Sequence, residues 1–135
     1  MKESSERLKQ KKLKLTPQRL AILDYLEGNT SHPSAQGVYG VLKKKYPSLS
    51  LATVYNTLET LKEIGDLQEL SIDAERKRFD PNPNLHHHFL CTRCGRVLDI
   101  FRDFNLAPPL EKVKVRNYQI NFYGLCDQCS LKNPK

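Results

Sequence analysis

The sequence predicts an α+β chain in two parts, and three observations carry that prediction. Between residues 16 and 65, three segments place apolar side chains at helical spacing, each behind a Thr or Ser. Two short strand-like runs follow, at residues 67–72 and 76–80. Beyond them all four cysteines fall in two C-x-x-C pairs separated by a long stretch, a pattern that staples a small domain. The boundaries expected are a first domain at residues 1–80, a hinge at 81–85 containing Pro81 and Pro83, and a second domain at 86–135.

Each element has a local cause. Residues 5–13 form a basic, weakly amphipathic arm that reads as helical. Thr16 can cap the next helix, and Pro17 suits its first turn, where a missing N–H is no loss. Leu20, Ile22, Leu23 and Leu26 give that helix an apolar side, and Gly28-Asn29 ends it. After His32-Pro33, Ser34 caps a second helix with Val38, Val41 and Leu42 on its apolar side, stopping before Pro47. Ser50 caps a third, with Leu51, Val54, Leu58 and Leu61 on one face and Gly65 as a left-handed C-cap. The two strand-like runs then flank Asp73-Ala74-Glu75. Three helices followed by a hairpin is the outline of a winged helix-turn-helix. In the second half, Phe89-Leu90, residues 97–101 and residues 118–125 read as strands, and Pro108-Pro109 limits the segment between them to a short helix over 110–113.

Residues 86–94 concentrate three imidazoles and two thiols, the side chains that bind transition metals at neutral pH. Cys91, Cys94, Cys126 and Cys129 can complete a tetrahedral thiolate shell with no open position, a structural zinc site. The competing assignment is a pair of disulfides, and a redox C-x-x-C is less well supported because neither pair sits in a strand-then-helix unit. The N-terminus is charged and lacks the apolar core of a signal peptide, and no run reaches the length of a membrane span, so a cytoplasmic protein without membrane attachment is expected. Reduced thiols in that compartment favour metal over disulfides.

The 135 residues carry a net charge of +7, and the first twenty hold seven Lys or Arg against two Glu. That balance favours a polyanionic partner, double-stranded DNA for a winged helix. The third helix is the candidate reader. Its apolar face turns inward and leaves Ala52, Thr53, Tyr55 and Asn56 outward near its N-terminus, where recognition helices meet base edges. Asn can bind adenine through two hydrogen bonds, and the Ala and Thr methyls can touch thymine methyls. Lys14, Arg19 and the run Lys43-Lys44-Lys45 are candidates for phosphate contact, although a lysine run is more often a solvated face.

The ordered set Thr16-Pro17-Gln18-Arg19, His32-Pro33, Ala52-Thr53-Val54-Tyr55, Arg78-Phe79-Asp80, His86-x-His88, Cys91-x-x-Cys94-Gly95, Asp99 and Tyr123-Gly124-x-Cys126-x-x-Cys129 resembles the ferric-uptake-regulator (Fur) superfamily. The resemblance implies a homodimeric, metal-dependent repressor with a winged-helix DNA-binding domain and an α/β dimerisation domain. Its structural zinc ligands match the four cysteines. It also implies a regulatory site for Fe(II) or Mn(II) made of His32, Asp80, His86, His88 and Asp99. Imidazole and carboxylate without thiolate suit those ions. His86 and His88 point to one face of a strand, while His87, on the other, is expected in solvent. Five ligands leave a sixth position for a small molecule, and they are drawn from both domains. Asp80 stands where iron-responsive relatives tend to have Glu, and Asn56 where they tend to have Arg, which resembles the peroxide-sensing (PerR-type) branch. The stretch between Asp99 and Cys126 is shorter than usual in the family.

The function implied is repression at a palindromic, A·T-rich operator, lifted when hydrogen peroxide reacts at bound Fe(II) and oxidises a ligand histidine, His32 or His86. A repressor that follows iron or manganese level without peroxide chemistry shares every one of these residues. A zinc metalloenzyme is the alternative of another class; Asp103 and Glu111 are its available acid–base groups, with nothing to align them to the site.

Overall fold

Side-chain caps and left-handed glycines set the helix ends of the chain. In the computed structural model, which describes residues 2–104 and 111–132, the chain divides into two compact units, Met1–Pro83 and Asn84–Lys135. The first contains helices α1 (Lys2–Gln10), α2 (Pro17–Leu26), α3 (Ala35–Leu42) and α4 (Leu51–Glu63). Thr16, Ser34 and Ser50 each accept, through the side-chain oxygen, the N–H three residues on, at 3.2, 3.0 and 3.1 Å. Each bond satisfies a donor that the helix itself cannot. Gly28 (φ +67°) and Gly65 (φ +84°) take the left-handed conformation just past α2 and α4.

The core of this unit gathers Ile22, Leu23, Leu26, Ala35, Val38, Leu49, Val54, Leu58, Leu61, Leu67 and Phe79. The basic arm belongs to it. Leu8 of α1 is fully buried in the same cluster, and Ser4 and Arg7 bind the Asp66 carboxylate at 2.7 and 2.6 Å. Two expected core residues lie outside it: Leu20 and Val41 are 41% and 49% exposed. Periodicity marks the apolar side of a helix without saying how far other elements cover it. Leu51 is only half-buried at the start of α4.

Strands β1 (Gln68–Leu70) and β2 (Arg78–Asp80) pair antiparallel with Leu70 opposite Arg78. They are shorter than the runs read from sequence because the chain leaves the ladder for a side-chain-held turn. Asp73 accepts the Glu75 N–H at 2.9 Å and the Arg78 Nε–H at 3.1 Å. These bonds, the Glu75 N–H foremost, hold the Asp73 carboxyl below its ordinary pKa.

The second unit is a three-stranded sheet in the order β4-β3-β5, with β3 at His87–Cys91, β4 at Val97–Ile100 and β5 at Asn121–Gly124, followed by α5 (Asp127–Lys132). β4 runs antiparallel to β3, and β5 runs parallel to it. The Pro108-Pro109 break lies outside the described residues; of the short helix expected over 110–113, residues 111–113 are described and form no helix, only a turn at Glu111 and Lys112. No helix among the described residues is long and apolar enough to cross a membrane.

Burial of Leu8 makes the arm part of the first unit's stability. Leu8→Ala is expected to lower the unfolding free energy by about 2–5 kcal/mol, measured by urea denaturation followed through helix circular dichroism.

Candidate metal centres and reading helix

β3 delivers Cys91 at its end. A tight turn, with Gly95 at φ +77° and its N–H on the Cys91 carbonyl at 2.9 Å, returns the chain past Cys94 into β4. The parallel register places Gly124 beside Cys91, so Cys126 arrives next to the first pair, and the first turn of α5 brings Cys129. One sulfur from each of the four lies within 4.8 Å of the others. Cys94 Sγ and Cys126 Sγ are 3.8 Å apart. The edge of a sulfur tetrahedron with metal bonds of about 2.3 Å is about 3.8 Å, whereas a disulfide needs about 2.05 Å. All four are free thiols, so the disulfide alternative fails.

Backbone N–H groups point at these sulfurs. The Cys91 thiol receives those of Cys94 and Cys126 at 3.5 and 3.3 Å, and its pKa is lowered to about 5, by Cys94 first. The Cys129 N–H lowers Cys126 in the same way. Burial, then the neighbouring sulfurs, push Cys129 up to about 12. Four thiolates at this spacing repel one another, so full ionisation requires a cation among them. Arg96 and Asp127, paired at 2.6 Å, tie the β4 side of the cluster to the α5 side.

The other donor residues divide between the units. In the first, His32 and Asp80 are both buried, with His32 Nε2 3.3 Å from Asp80 Oδ2. Asp80 closes β2, and its other oxygen accepts the Asn82 N–H at 2.9 Å. His32 has a left-handed backbone, φ +52°, and its carbonyl accepts a 3.1 Å hydrogen bond from Arg78 Nη1.

In the second unit the β3–β4 register sets His88 opposite Asp99. Asp99 Oδ1 stands 2.7 Å from His86 Nε2 and 3.3 Å from His88 Nε2. His86 Nδ1 lies 2.7 Å from the Asn84 carbonyl oxygen, and Phe101 stacks on its ring at 4.8 Å. Two acceptors thus face the two nitrogens of one imidazole, whose neutral form has one N–H. The second can be met by protonation of the ring or by a cation between His86 and Asp99. Neighbouring donors around a six-coordinate ion with bonds of about 2.1 Å lie about 3.0 Å apart. The donor spacings in both units, 2.7 to 3.3 Å, fit that chemistry.

His87 points to the opposite face of β3, as expected, but it is buried rather than in solvent, at 5% exposure. β3 is the central strand, and the chain leading into β5 covers this face. The Ile120 N–H donates to His87 Nδ1 at 2.9 Å, and Tyr118 and Phe104 pack on the ring. His87 is a packed core histidine.

On α4, Ala52 and Asn56 are exposed, and Tyr55 is 37% exposed with its hydroxyl accepting from Gln36 Nε2 at 3.0 Å. Thr53 is half-buried and shares a 2.9 Å hydrogen bond with the Ser50 hydroxyl, so it belongs first to the cap. Arg19 donates to the Lys14 carbonyl at 2.7 Å, bracing the entry to α2, while the Lys14 side chain is exposed. Lys43 and Lys45 lie over the rings of Tyr39 and Tyr46 at 5.3 and 5.8 Å. Sequence reasoning gave no role to Gln36, Asn84 or Phe101, and none to Arg78 beyond its place in a motif. Their partners are set by tertiary packing or lie outside any motif.

The ferric uptake regulator family model matches residues 10–125. The peroxide operon regulator of Bacillus subtilis (strain 168) is 37% identical, over 98% of this chain and 94% of its own. Among solved structures, the Campylobacter jejuni peroxide stress regulator superposes with a TM-score of 0.65 at 34% identity, covering 92% of this chain and 97% of its own. The Helicobacter pylori ferric uptake regulator Fur shares the fold, with a TM-score of 0.75 at 19% identity over 96% of this chain and 93% of its own. The chain belongs to the ferric uptake regulator family.

Proposed function

We propose that this protein is a metal-dependent DNA-binding repressor that senses hydrogen peroxide. The observation that carries the reading is a donor set of imidazole and carboxylate alone, buried but for a partly exposed Asp99: His32 with Asp80, and His86 and His88 with Asp99, in a chain 37% identical to a peroxide operon regulator. A regulator that follows metal level alone uses the same ligands, and Asp80 and Asn56 weigh toward the peroxide reading. Membership of a family named for regulation also sets aside the zinc metalloenzyme.

The first unit is read as a winged helix-turn-helix, with α4 as reading helix and β1–β2 as wing. Ala52, Tyr55 and Asn56 meet base edges and Thr53 contributes its methyl, while Lys14 and Arg19 serve phosphates. The second unit is read as the dimerisation domain, and a homodimer fits a palindromic, A·T-rich operator. Cys91, Cys94, Cys126 and Cys129 hold a structural zinc ion.

His32, Asp80, His86, His88 and Asp99 are the regulatory ligands for Fe(II) or Mn(II). Fe(II) held by these residues would catalyse transfer of one peroxide oxygen to a ring carbon of His32 or His86, the O–O bond breaking and the other oxygen leaving as water. The chain supplies the rest. The Asn84 carbonyl orients His86, Phe101 shields its ring, and Asp99 brings negative charge to both imidazoles of β3. An imidazole that has gained oxygen binds metal poorly, and repression is lifted.

Three outcomes test this reading. Cobalt(II) in place of zinc is expected to give the thiolate charge-transfer bands of a tetrahedral site, and Cys129→Ser to lose them together with the dimer in analytical ultracentrifugation. A folded, dimeric, metal-free Cys129→Ser protein contradicts the structural role.

Asn56→Ala is expected to cost about 1–3 kcal/mol on operator DNA and little on random DNA. Equal losses on both, by fluorescence anisotropy, take Asn56 off the reading face.

Peroxide is expected to abolish operator binding by the Fe(II) form and spare the Mn(II) form. Peptide mass spectrometry should place one added oxygen on His32 or His86 with the cysteines unmodified. An Fe(II) form that still binds DNA after peroxide overturns the sensing mechanism; first oxidation at Cys91 and Cys94 points to a thiol sensor.

A further inference from the structure

His32 combines three properties that do not ordinarily coexist. It carries a full side chain at φ +52°, it is completely buried, and its imidazole faces the Asp80 carboxylate. A residue with a Cβ rarely takes the left-handed conformation and keeps it only where its surroundings hold it there. Here the surroundings are the hairpin. Arg78 Nη1 donates to the His32 carbonyl at 3.1 Å, and the Phe79 N–H donates to the Pro33 carbonyl at 2.9 Å, so β2 pins both peptides of the His32-Pro33 turn. Arg78 is itself fixed. Its Nε donates to Asp73 Oδ2 at 3.1 Å, both side chains are nearly buried at 13% and 12% exposure, and the other Asp73 oxygen closes the hairpin turn on the Glu75 N–H. A chain of hydrogen bonds therefore runs from the hairpin tip through Asp73 and Arg78 to the backbone of His32. Two residues beyond Arg78 the same strand ends on Asp80.

We propose that Arg78 is the positioning residue for the His32 and Asp80 ligand pair, and that Asp73, by fixing Arg78, makes the hairpin tip and this pair a single rigid element. The proposal rests on the reading of His32 as a metal ligand. A guanidinium is suited to the task because its planar fork reaches a carboxylate and a carbonyl at once, in fixed relative directions. Lysine offers one compact ammonium and cannot hold both at that geometry. The aim of the His32 imidazole then depends on a residue that coordinates nothing, and occupation of the site is felt at the tip of the hairpin.

The test is Mn(II) affinity of the zinc-loaded protein by isothermal titration calorimetry, for His32→Ala, Arg78→Ala, Arg78→Lys and Asp73→Asn. Asp73→Asn leaves one oxygen for the Glu75 N–H and sets an amide against Arg78, so it breaks the clamp with the least disturbance of the fold. Arg78→Ala is expected to weaken Mn(II) binding about 10–100-fold, the range for residues that orient ligands. Arg78→Lys should recover part of that loss, and Asp73→Asn should fall between Arg78→Lys and Arg78→Ala. A second readout needs no regulatory metal. Amide hydrogen exchange at Phe79 should quicken in Arg78→Ala and Asp73→Asn while exchange in the middle of α4 stays unchanged, which separates lost positioning from lost folding. Mn(II) should also slow exchange at the Glu75 amide in the unaltered protein and not in Asp73→Asn. If His32→Ala weakens Mn(II) binding but Arg78→Ala and Asp73→Asn do not, the clamp is wrong and the ligand reading stands. If His32→Ala binds Mn(II) as tightly as the unaltered protein, the ligand reading fails and the proposal with it.

Discussion

Four sulfurs brought within 4.8 Å of one another form the constraint on which the second unit depends. Thiols at that range cannot all ionise unaided: the N–H groups aimed at Cys91 draw it down to about 5, while burial and then the neighbouring sulfurs push Cys129 up to about 12. A divalent cation would resolve the conflict by binding all four as thiolates. It would also join the end of β3 to α5 across a long stretch of sequence. Cys91, Cys126 and Cys129 pack with Phe89 and Leu125 as one apolar cluster, so a metal bound there would lie inside packed residues.

The same strand serves two chemistries at its two ends. β3 leaves the sulfur cluster at Cys91 and begins at the imidazoles, where alternation sends His88 toward Asp99 and His87 toward Tyr118 and Phe104. Whatever fixes one end of a five-residue strand fixes the other. A thiolate shell closed on a metal at the far end would therefore help keep His88 aligned opposite Asp99. The division of labour follows from ligand type. Thiolates bind tightly and close the shell, whereas imidazoles and carboxylates exchange an ion more readily and leave room for a small molecule.

Legibility in the sequence followed the range of the interactions. Thr16, Ser34 and Ser50 cap their helices through bonds three residues long, and the sequence predicts all three; Gly28 and Gly65 are read correctly for the same reason. The alternation that aims His86 and His88 together and the C-x-x-C spacing are local as well. Periodicity reports which face of an element is apolar and not what covers it. Leu20 and Val41 therefore read as core and lie exposed, while His87 reads as exposed and lies buried under a segment from more than thirty residues further on. Leu8 carried only a weak amphipathic signal, and its burial depends on a docking site assembled by α2 and α4.

Arg78 shows where sequence reasoning stops for a physical reason. It stands in a recognised motif beside Asp80, and the motif marks the carboxylate because ligand chemistry is visible in residue type. A residue that acts on another residue's backbone leaves no such mark: a carbonyl exists at every position, and nothing in the letters singles out His32 as the one that is clamped from 46 residues away. What singles it out is a backbone angle, φ +52° on a residue with a Cβ, which exists only in three dimensions. The ligands of such a centre can be read from chemistry, but the groups that aim them have to be found by asking what holds an improbable conformation in place.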